Sequence, residues 1–189
     1  MDNGVSAGST ASTSTLGNIA LGLTLLAFGI GHTGIVSGVT AADSVSLAMF
    51  VGGLALFVLG LLEFRGGNGF NGTAFAGLGA FWFTWANGAD GKVSAHAAGL
   101  FLVLFALLAL TLAVSAASGL FGQGVYGLLT LSLVLLAIGV FADSGGLTKA
   151  AGWVAAVCGL LAWYGATAAL AHWPMAMGKA SGRGAVAAG

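Results

Sequence analysis

The sequence predicts an all-α membrane protein with six transmembrane helices per protomer. Three observations predict this fold class: 58% of the residues are hydrophobic, 5% are charged, and the mean hydropathy is +1.03. Soluble domains carry about 25% charged residues, so this chain lacks the polar groups that a water-facing surface needs. The alternating pattern of a membrane β-barrel is absent from the sequence, and helices satisfy their own backbone hydrogen bonds in lipid.

Six apolar runs approach or exceed the roughly 20 residues that cross a bilayer as a helix. In chain order they cover residues 16–36, 45–62, 72–87, 96–114, 121–141 and 147–173. Charged residues mark their borders: Asp43 precedes the second run, Glu63 and Arg65 follow it, Asp90 and Lys92 separate the third from the fourth, and Asp143 precedes the sixth. The third run is short and follows a Gly/Asn-rich segment, 66–72, which we interpret as an interfacial turn or a re-entrant piece.

The termini and the charges predict how the chain is divided and oriented. Residues 1–15 and 174–189 are rich in small residues, so we expect flexible tails on either side of a six-helix domain, 16–173. If both termini are cytoplasmic, Arg65, Lys179 and Arg183 lie inside, whereas Lys92 and Lys149 lie outside. This bias favours cytoplasmic termini in an integral protein of the plasma or inner membrane.

Several function classes are excluded by what the sequence lacks. The five basic residues are scattered, so there is no basic patch for binding nucleic acid. The single cysteine, Cys158, rules out a disulfide framework or a cysteine metal site within one chain. No phosphate-binding loop and no nucleophile with a base and an orienting acid can be recognised. We therefore expect no enzyme activity, no cofactor and no metal.

The most specific motif of the chain begins at the end of the second run. Glu63-Phe64-Arg65-Gly66-Gly67-Asn68-Gly69-Phe70 is followed by Thr73-Ala74-Phe75 and then by Gly79-Ala80-Phe81-Trp82. This pattern resembles the acetate uptake transporter family, also called the GPR1/FUN34/YaaH family, and the resemblance extends from about residue 16 to residue 172. Two departures are that Ser12-Thr13-Ser14-Thr15-Leu16-Gly17-Asn18 replaces the family's Asn-Pro-Ala-Pro-Leu-Gly-Leu, and that Leu78 replaces a tyrosine.

The resemblance implies a ring-shaped homohexamer in which each protomer has its own pathway. It also implies a constriction of apolar side chains from three helices, and those positions fall on Leu21, Leu78 and Leu129. The resemblance further implies that Glu63 and Arg65, together with Asn68 and Asn71, form the mouth of the pathway. A pair of exposed side chains at headgroup level is the alternative interpretation of Glu63 and Arg65.

Polar residues inside the apolar runs are candidates for lining a pathway, because polar groups in membrane helices face a cavity or another helix. We assign this role to Asn18, Thr24, His32, Thr73, Thr84 and Thr130. His32 is the residue that can titrate near neutral pH, so it is a candidate proton site or anion donor; helix packing is the alternative.

The predicted function is a membrane channel or proton-linked transporter for acetate and similar small monocarboxylates. Such an acid has a pKa near 4 and is ionised at neutral pH. Carrying the bare anion through leucine side chains would cost at least several kcal/mol, so the pathway hydrates it, surrounds it with donors or passes the neutral acid. A hexameric channel for a small neutral solute such as urea or an amide is the alternative, and a membrane scaffold is a third. The expected partners are the carboxylate anion, membrane lipid and further copies of the chain.

Overall fold

The computed structural model describes residues 7–88, 93–115, 117 and 119–173, and this part of the chain is helical, without β-strands. Asp90 and Lys92 lie outside the described residues, as do Lys179, Arg183 and the whole predicted tail 174–189. The charge bias behind the predicted orientation therefore rests mainly on residues that the structure does not describe.

Six helical stretches follow one another: α1 (Ala7–Thr33), α2 (Ala41–Arg65), α3 (Gly69–Gly88), α4 (Ala95–Val114), α5 (Gly119–Phe141) and α6 (Gly145–Leu170). By length and composition, α2, α4, α5, α6 and the part of α1 from Thr13 to Thr33 can cross a membrane. Helix α3 has 20 residues but is less apolar, because glycines and the amides of Asn71 and Asn87 interrupt it. All six predicted runs are helices, and five of them have membrane-spanning character.

Helix α1 begins within the predicted N-terminal tail, at Ala7. Residues 7–15, expected to be flexible, continue the helix that was predicted to begin at Leu16. No proline interrupts this stretch, and Ser14 donates a hydrogen bond of 2.8 Å to the Glu63 carboxylate. The helix therefore gains a tertiary contact that composition alone does not reveal.

Helix α2 is irregular, whereas the sequence predicts a plain α-helix from residue 45. It consists of a 3₁₀ turn (Ala41–Ser44), a short α-helical piece (Val45–Leu47), a π-helix (Ala48–Ala55) and an α-helix (Leu56–Arg65). Such widened turns commonly occur at functional sites.

A three-residue turn, 66–68, joins α2 to α3, and the rest of the predicted segment, 69–72, is the beginning of α3, so the segment is not a re-entrant piece. Gly67 has φ +81°, a left-handed conformation that glycine adopts without strain. The backbone N–H of Asn68 donates to the Glu63 carbonyl oxygen at 2.9 Å, and α3 begins at Gly69.

Helix α1 packs against α6 and α2, α2 packs against α3, and α5 lies between α4 and α6. Glycines bring α1 and α6 close: a Cβ on Gly159 would lie 2.7 Å from the carbonyl oxygen of Gly22. Association of helices in lipid depends on such close packing. The outer faces expose apolar side chains such as Leu104 and Leu107 on α4, as suits contact with lipid.

Candidate functional site

Two cavities lie at opposite ends of the helix bundle. The first, which we call the His32 cavity, has a volume of about 340 Å³. All six helices contribute to it, and its lining residues are His32, Ala41, Ala42, Thr84, Trp85, Gly88, Val93, Ala97, Ala98, Phe101, Leu102, Leu136, Val140 and Thr148. The second, the Asn18 cavity, has a volume of about 230 Å³. It is lined by Asn18, Phe70, Asn71, Ala117, Phe121, Gly122, Val125, Tyr126, Ala162, Gly165 and Ala166.

Three rows of side chains connect the cavities, one each on α1, α3 and α5. The rows are Asn18, Leu21, Leu25, Phe28 and His32; Asn71, Phe75, Leu78, Trp82 and Trp85; and Tyr126, Leu129, Leu133, Leu136 and Val140. Their spacing of three and four residues places each row on one face of its helix. In every row the first member lines the Asn18 cavity and the last lines the His32 cavity. Helix α3 therefore extends from one end of the bundle to the other.

The middle members of these rows, apart from Leu136, which lines the His32 cavity, form what we call the apolar plug. They are Leu21, Leu25, Phe28, Phe75, Leu78, Trp82, Leu129 and Leu133, and each is at most 2% exposed. The predicted constriction residues Leu21, Leu78 and Leu129 all belong to it. From Asn18 to His32 the α1 row rises by about 21 Å at 1.5 Å per residue. The plug thus lies between two separate cavities.

A hydrogen-bond network beside the Asn18 cavity ties three helices together around Glu63, which is only 1% exposed. Its Oε1 accepts from the Ser14 hydroxyl at 2.8 Å and its Oε2 from the Asn68 amide at 2.7 Å. The Asn71 amide donates to the Ser14 oxygen at 2.9 Å, and the Asn71 backbone N–H donates to Asn68 Oδ1. Glu63 is thus held by α1 and by the turn before α3, whereas Arg65 is exposed.

His32 is placed at the far end of the α1 row. Its Nδ1 lies 2.8 Å from the Phe28 carbonyl oxygen, which can only accept, so Nδ1 carries the hydrogen. The ring also packs against Phe28, with centroids 4.2 Å apart, and near Trp85 at 6.3 Å. In the neutral imidazole Nε2 is then the acceptor, on a side chain that lines the cavity.

Only half of the predicted polar lining reaches a cavity: Asn18, His32 and Thr84 do, whereas Thr24, Thr73 and Thr130 do not. Each of these three threonines donates its hydroxyl to the carbonyl oxygen four residues earlier in its own helix. Thr24 is buried and Thr73 is exposed. Hydroxyls bonded in this way satisfy themselves within the helix.

Side chains with polar groups at or between the cavities that sequence reasoning missed include Trp82, Trp85, Tyr126 and Thr148. The spacing from the predicted constriction could have found three of them, since Trp82 and Trp85 follow Leu78 by four and seven residues and Tyr126 precedes Leu129 by three. No sequence pattern indicated the role of Ser14, because its hydrogen-bond partner Glu63 is distant in sequence.

Comparison with known proteins gives consistent findings. A family model described as the GPR1/FUN34/yaaH family matches residues 3–176. Over 159 residues the chain is 33% identical to the "Succinate-acetate/proton symporter SatP" of Escherichia coli (strain K12), covering 79% of this chain and 82% of that protein. It is also 32% identical over 140 residues to "Ammonia transport outward protein 2" of Saccharomyces cerevisiae, covering 67% of this chain and 50% of the yeast protein.

A solved structure titled "Structure of the bacterial acetate channel SatP" has the same fold, with a TM-score of 0.76 and 28% sequence identity. The match covers 85% of this chain and 92% of that chain.

The Glu63 network generates a prediction about stability. Glu63→Ala leaves the Asn68 amide and the Ser14 hydroxyl without their acceptor, so we expect the free energy of unfolding to fall by about 2 kcal/mol. Glu63→Gln, which keeps one acceptor oxygen, should lose less. Unfolding of the purified protein in detergent, followed by tryptophan fluorescence, measures both.

Arg65→Gln is the matched control, since Arg65 is exposed two residues away. We expect it to change stability by no more than about 0.5 kcal/mol. Equal stability of the Glu63→Ala and Arg65→Gln variants would show that the network does not hold the three helices together.

Proposed function

The chain belongs to the GPR1/FUN34/yaaH family, and on that premise we propose that this integral membrane protein carries acetate and similar small monocarboxylates across the membrane. The names of the symporter relative and of the structural neighbour both refer to acetate. The observation that carries the proposal is the arrangement of two cavities at opposite ends of one bundle, joined by three rows of inward side chains. The homologues named as transporters or channels agree with a role other than catalysis.

The apolar plug is proposed to act as a gate that water and substrate cross only when it opens. Leu21, Leu78 and Leu129 are fully buried, so a carboxylate between them in the closed conformation would lose its hydration. That loss costs several kcal/mol, more than a few neutral hydrogen bonds of about 1 kcal/mol each return. Passage therefore needs a transient wetting of the plug, as in hydrophobic gates of channels.

The polar groups that meet the carboxylate are proposed to be those that remain available in the cavities. In the Asn18 cavity these are the amides of Asn18 and Asn71, with Asn71 positioned by Ser14 and Asn68. In the His32 cavity they are His32 and Thr84, whereas the Thr148 hydroxyl already donates to the Ser144 carbonyl oxygen at 3.1 Å. Thr24, Thr73 and Thr130 contribute less than predicted, because their hydroxyl hydrogens already bond to the backbone.

Proton-linked transport through His32 is the second candidate mechanism. Its support is the fixed tautomer, which leaves Nε2 as a proton acceptor on a cavity-lining side chain, and the word "proton" in the name of the bacterial relative. In this version the carboxylic acid crosses the plug in its neutral form. Only about one acetate molecule in a thousand is neutral at pH 7, so a nearby proton donor would raise its share locally.

We also propose that six copies assemble as a ring, with both termini in the cytoplasm of a cell whose plasma or inner membrane holds the complex. A shallow apolar groove of about 300 Å³ on the outer face of α2 and α3 supports assembly, since Leu54, Phe57 and Phe83 expose apolar surface there that another copy can cover. It is lined by Gly53, Leu54, Phe57, Gly79, Ala80, Phe83 and Thr84. Closed rings are the usual outcome for identical subunits.

Uptake into proteoliposomes tests the proposed substrate. At pH 7.5 nearly all acetate is ionised, so leakage of the neutral acid is small and protein-free vesicles correct for it. We expect radiolabelled acetate to enter faster than in protein-free vesicles and excess propionate to compete. Urea serves as the neutral comparator, and its entry without any acetate entry would contradict the proposal.

Leu78→Ala tests the gate. Removing a fully buried side chain widens the plug, so we expect faster acetate uptake or entry of a larger acid such as butyrate. Leu104→Ala, on the outer face of α4 where the leucine is 55% exposed, is the matched control and should leave uptake unchanged. If Leu78→Ala behaves like this control, Leu78 is not part of the gate.

Assembly is tested by light scattering of the purified protein in detergent. The proposal gives a polypeptide mass six times that of the 18.4 kDa chain. A monodisperse monomer would contradict the ring.

A further inference from the structure

Trp82 carries an unused hydrogen-bond donor in the middle of the protein. The residue is 1% exposed, and among the described residues its indole Nε1 is the one buried side-chain nitrogen or oxygen without a hydrogen-bond partner. Buried polar groups are nearly always paired, so an unpaired one calls for an explanation such as a ligand or ion. An indole N–H can only donate, which limits the ligand to a group with an acceptor atom.

The indole lies within the apolar plug, on the side of the His32 cavity. Trp82 is the fourth member of the α3 row, between Leu78 and the cavity-lining Trp85. Its ring packs edge-on against Phe28 of the α1 row at 5.1 Å and near Trp85 at 6.2 Å. Phe28 in turn contacts His32. Trp82 is therefore about one helical turn from a cavity that holds the solvent-accessible polar groups.

The residues around the indole make room for the ring but give its N–H no hydrogen-bond acceptor. Gly52, in the π-helical part of α2, makes room, because a Cβ there would lie 3.0 Å from Trp82 Cγ and 2.5 Å from a methyl of Thr24. The Thr24 hydroxyl, the nearby polar side chain, donates to the Ala20 carbonyl oxygen. The donor of Trp82 thus stays free between helices α1, α2 and α3.

We propose that Trp82 Nε1–H binds a carboxyl oxygen of the substrate inside the plug and so forms an intermediate binding site between the leucine constriction and the His32 cavity. The site rests on the proposed transport of small monocarboxylates. It accepts the carboxylate or the carbonyl oxygen of the neutral acid, and the bond is stronger to the anion. The N–H gives no hydrogen bond to a cation such as ammonium, which has no acceptor atom.

Replacing the N–H without changing the ring shape tests the site. Site-specific incorporation of 3-benzothienylalanine at position 82 keeps a bicyclic ring and puts sulfur in place of the N–H. We expect the initial rate of acetate uptake to fall about tenfold, the size of one lost hydrogen bond to a charged group. The same replacement at Trp153, 49% exposed on α6, should leave the rate unchanged.

An NMR measurement on the natural tryptophan ring gives a second test, which applies even if the position-82 variant fails to fold. The five tryptophans give five indole N–H signals in a ¹H–¹⁵N spectrum of labelled protein in detergent. Trp82→Phe identifies the signal of interest, and we expect saturating acetate, but not chloride, to shift it downfield.

The outcomes separate this inference from the proposed function. Acetate uptake by the unmodified protein, combined with an unmoved Trp82 signal or an unchanged rate in the position-82 variant, overturns the binding site alone. Absence of acetate uptake by the unmodified protein overturns the proposed function and the site with it. A shifted signal together with a slowed variant supports both.

Discussion

The arrangement of polar side chains in this protein depends on one constraint, which is the free-energy cost of a polar group that lacks a hydrogen-bond partner where no water is present. Polar side chains inside the bundle meet that cost by bonding to the backbone, within a helix or across to the next one: the Ser132 hydroxyl donates to the Ala151 carbonyl oxygen at 2.9 Å, and the Cys158 thiol to that of Val125 at 3.1 Å. Glu63 is buried only because two neutral donors reach its oxygens. Among the described residues, the Asn18 amide, the His32 Nε2 and the Trp82 indole N–H have no such bond, and they therefore stand out as groups available to a substrate.

The same constraint explains which parts of the structure the sequence predicts. Apolar helices that are long enough to cross a bilayer can be recognised from the hydropathy of the sequence. Five of the six predicted runs form helices of this kind. The burial of Leu21, Leu78 and Leu129 follows from helical spacing and the family resemblance. Helix α3 gives a weak hydropathy signal because glycines and the amides of Asn71 and Asn87 lower its mean hydropathy.

Other features depend on contacts between residues distant in sequence. A threonine that bonds to its own helix and one that lines a cavity look alike in a sequence, so the sequence does not separate Thr24, Thr73 and Thr130 from Thr84. The helical continuation to Ala7 and the π-helix of α2 both involve contacts that only the folded chain makes. Ser14 of α1 bonds to Glu63, and Gly52 of the π-helix lies against Trp82.

The central claim is that the Asn18 and His32 cavities open to opposite sides of the membrane with the apolar plug between them. Single cysteines along α1, in a Cys158→Ser background, test it most directly with a membrane-impermeant thiol reagent applied to oriented vesicles. We expect Asn18→Cys to react from one side and His32→Cys from the other, while Leu23→Cys on the outer face, 43% exposed toward lipid, stays unreactive. Reaction of both cavity positions from the same side would contradict the account.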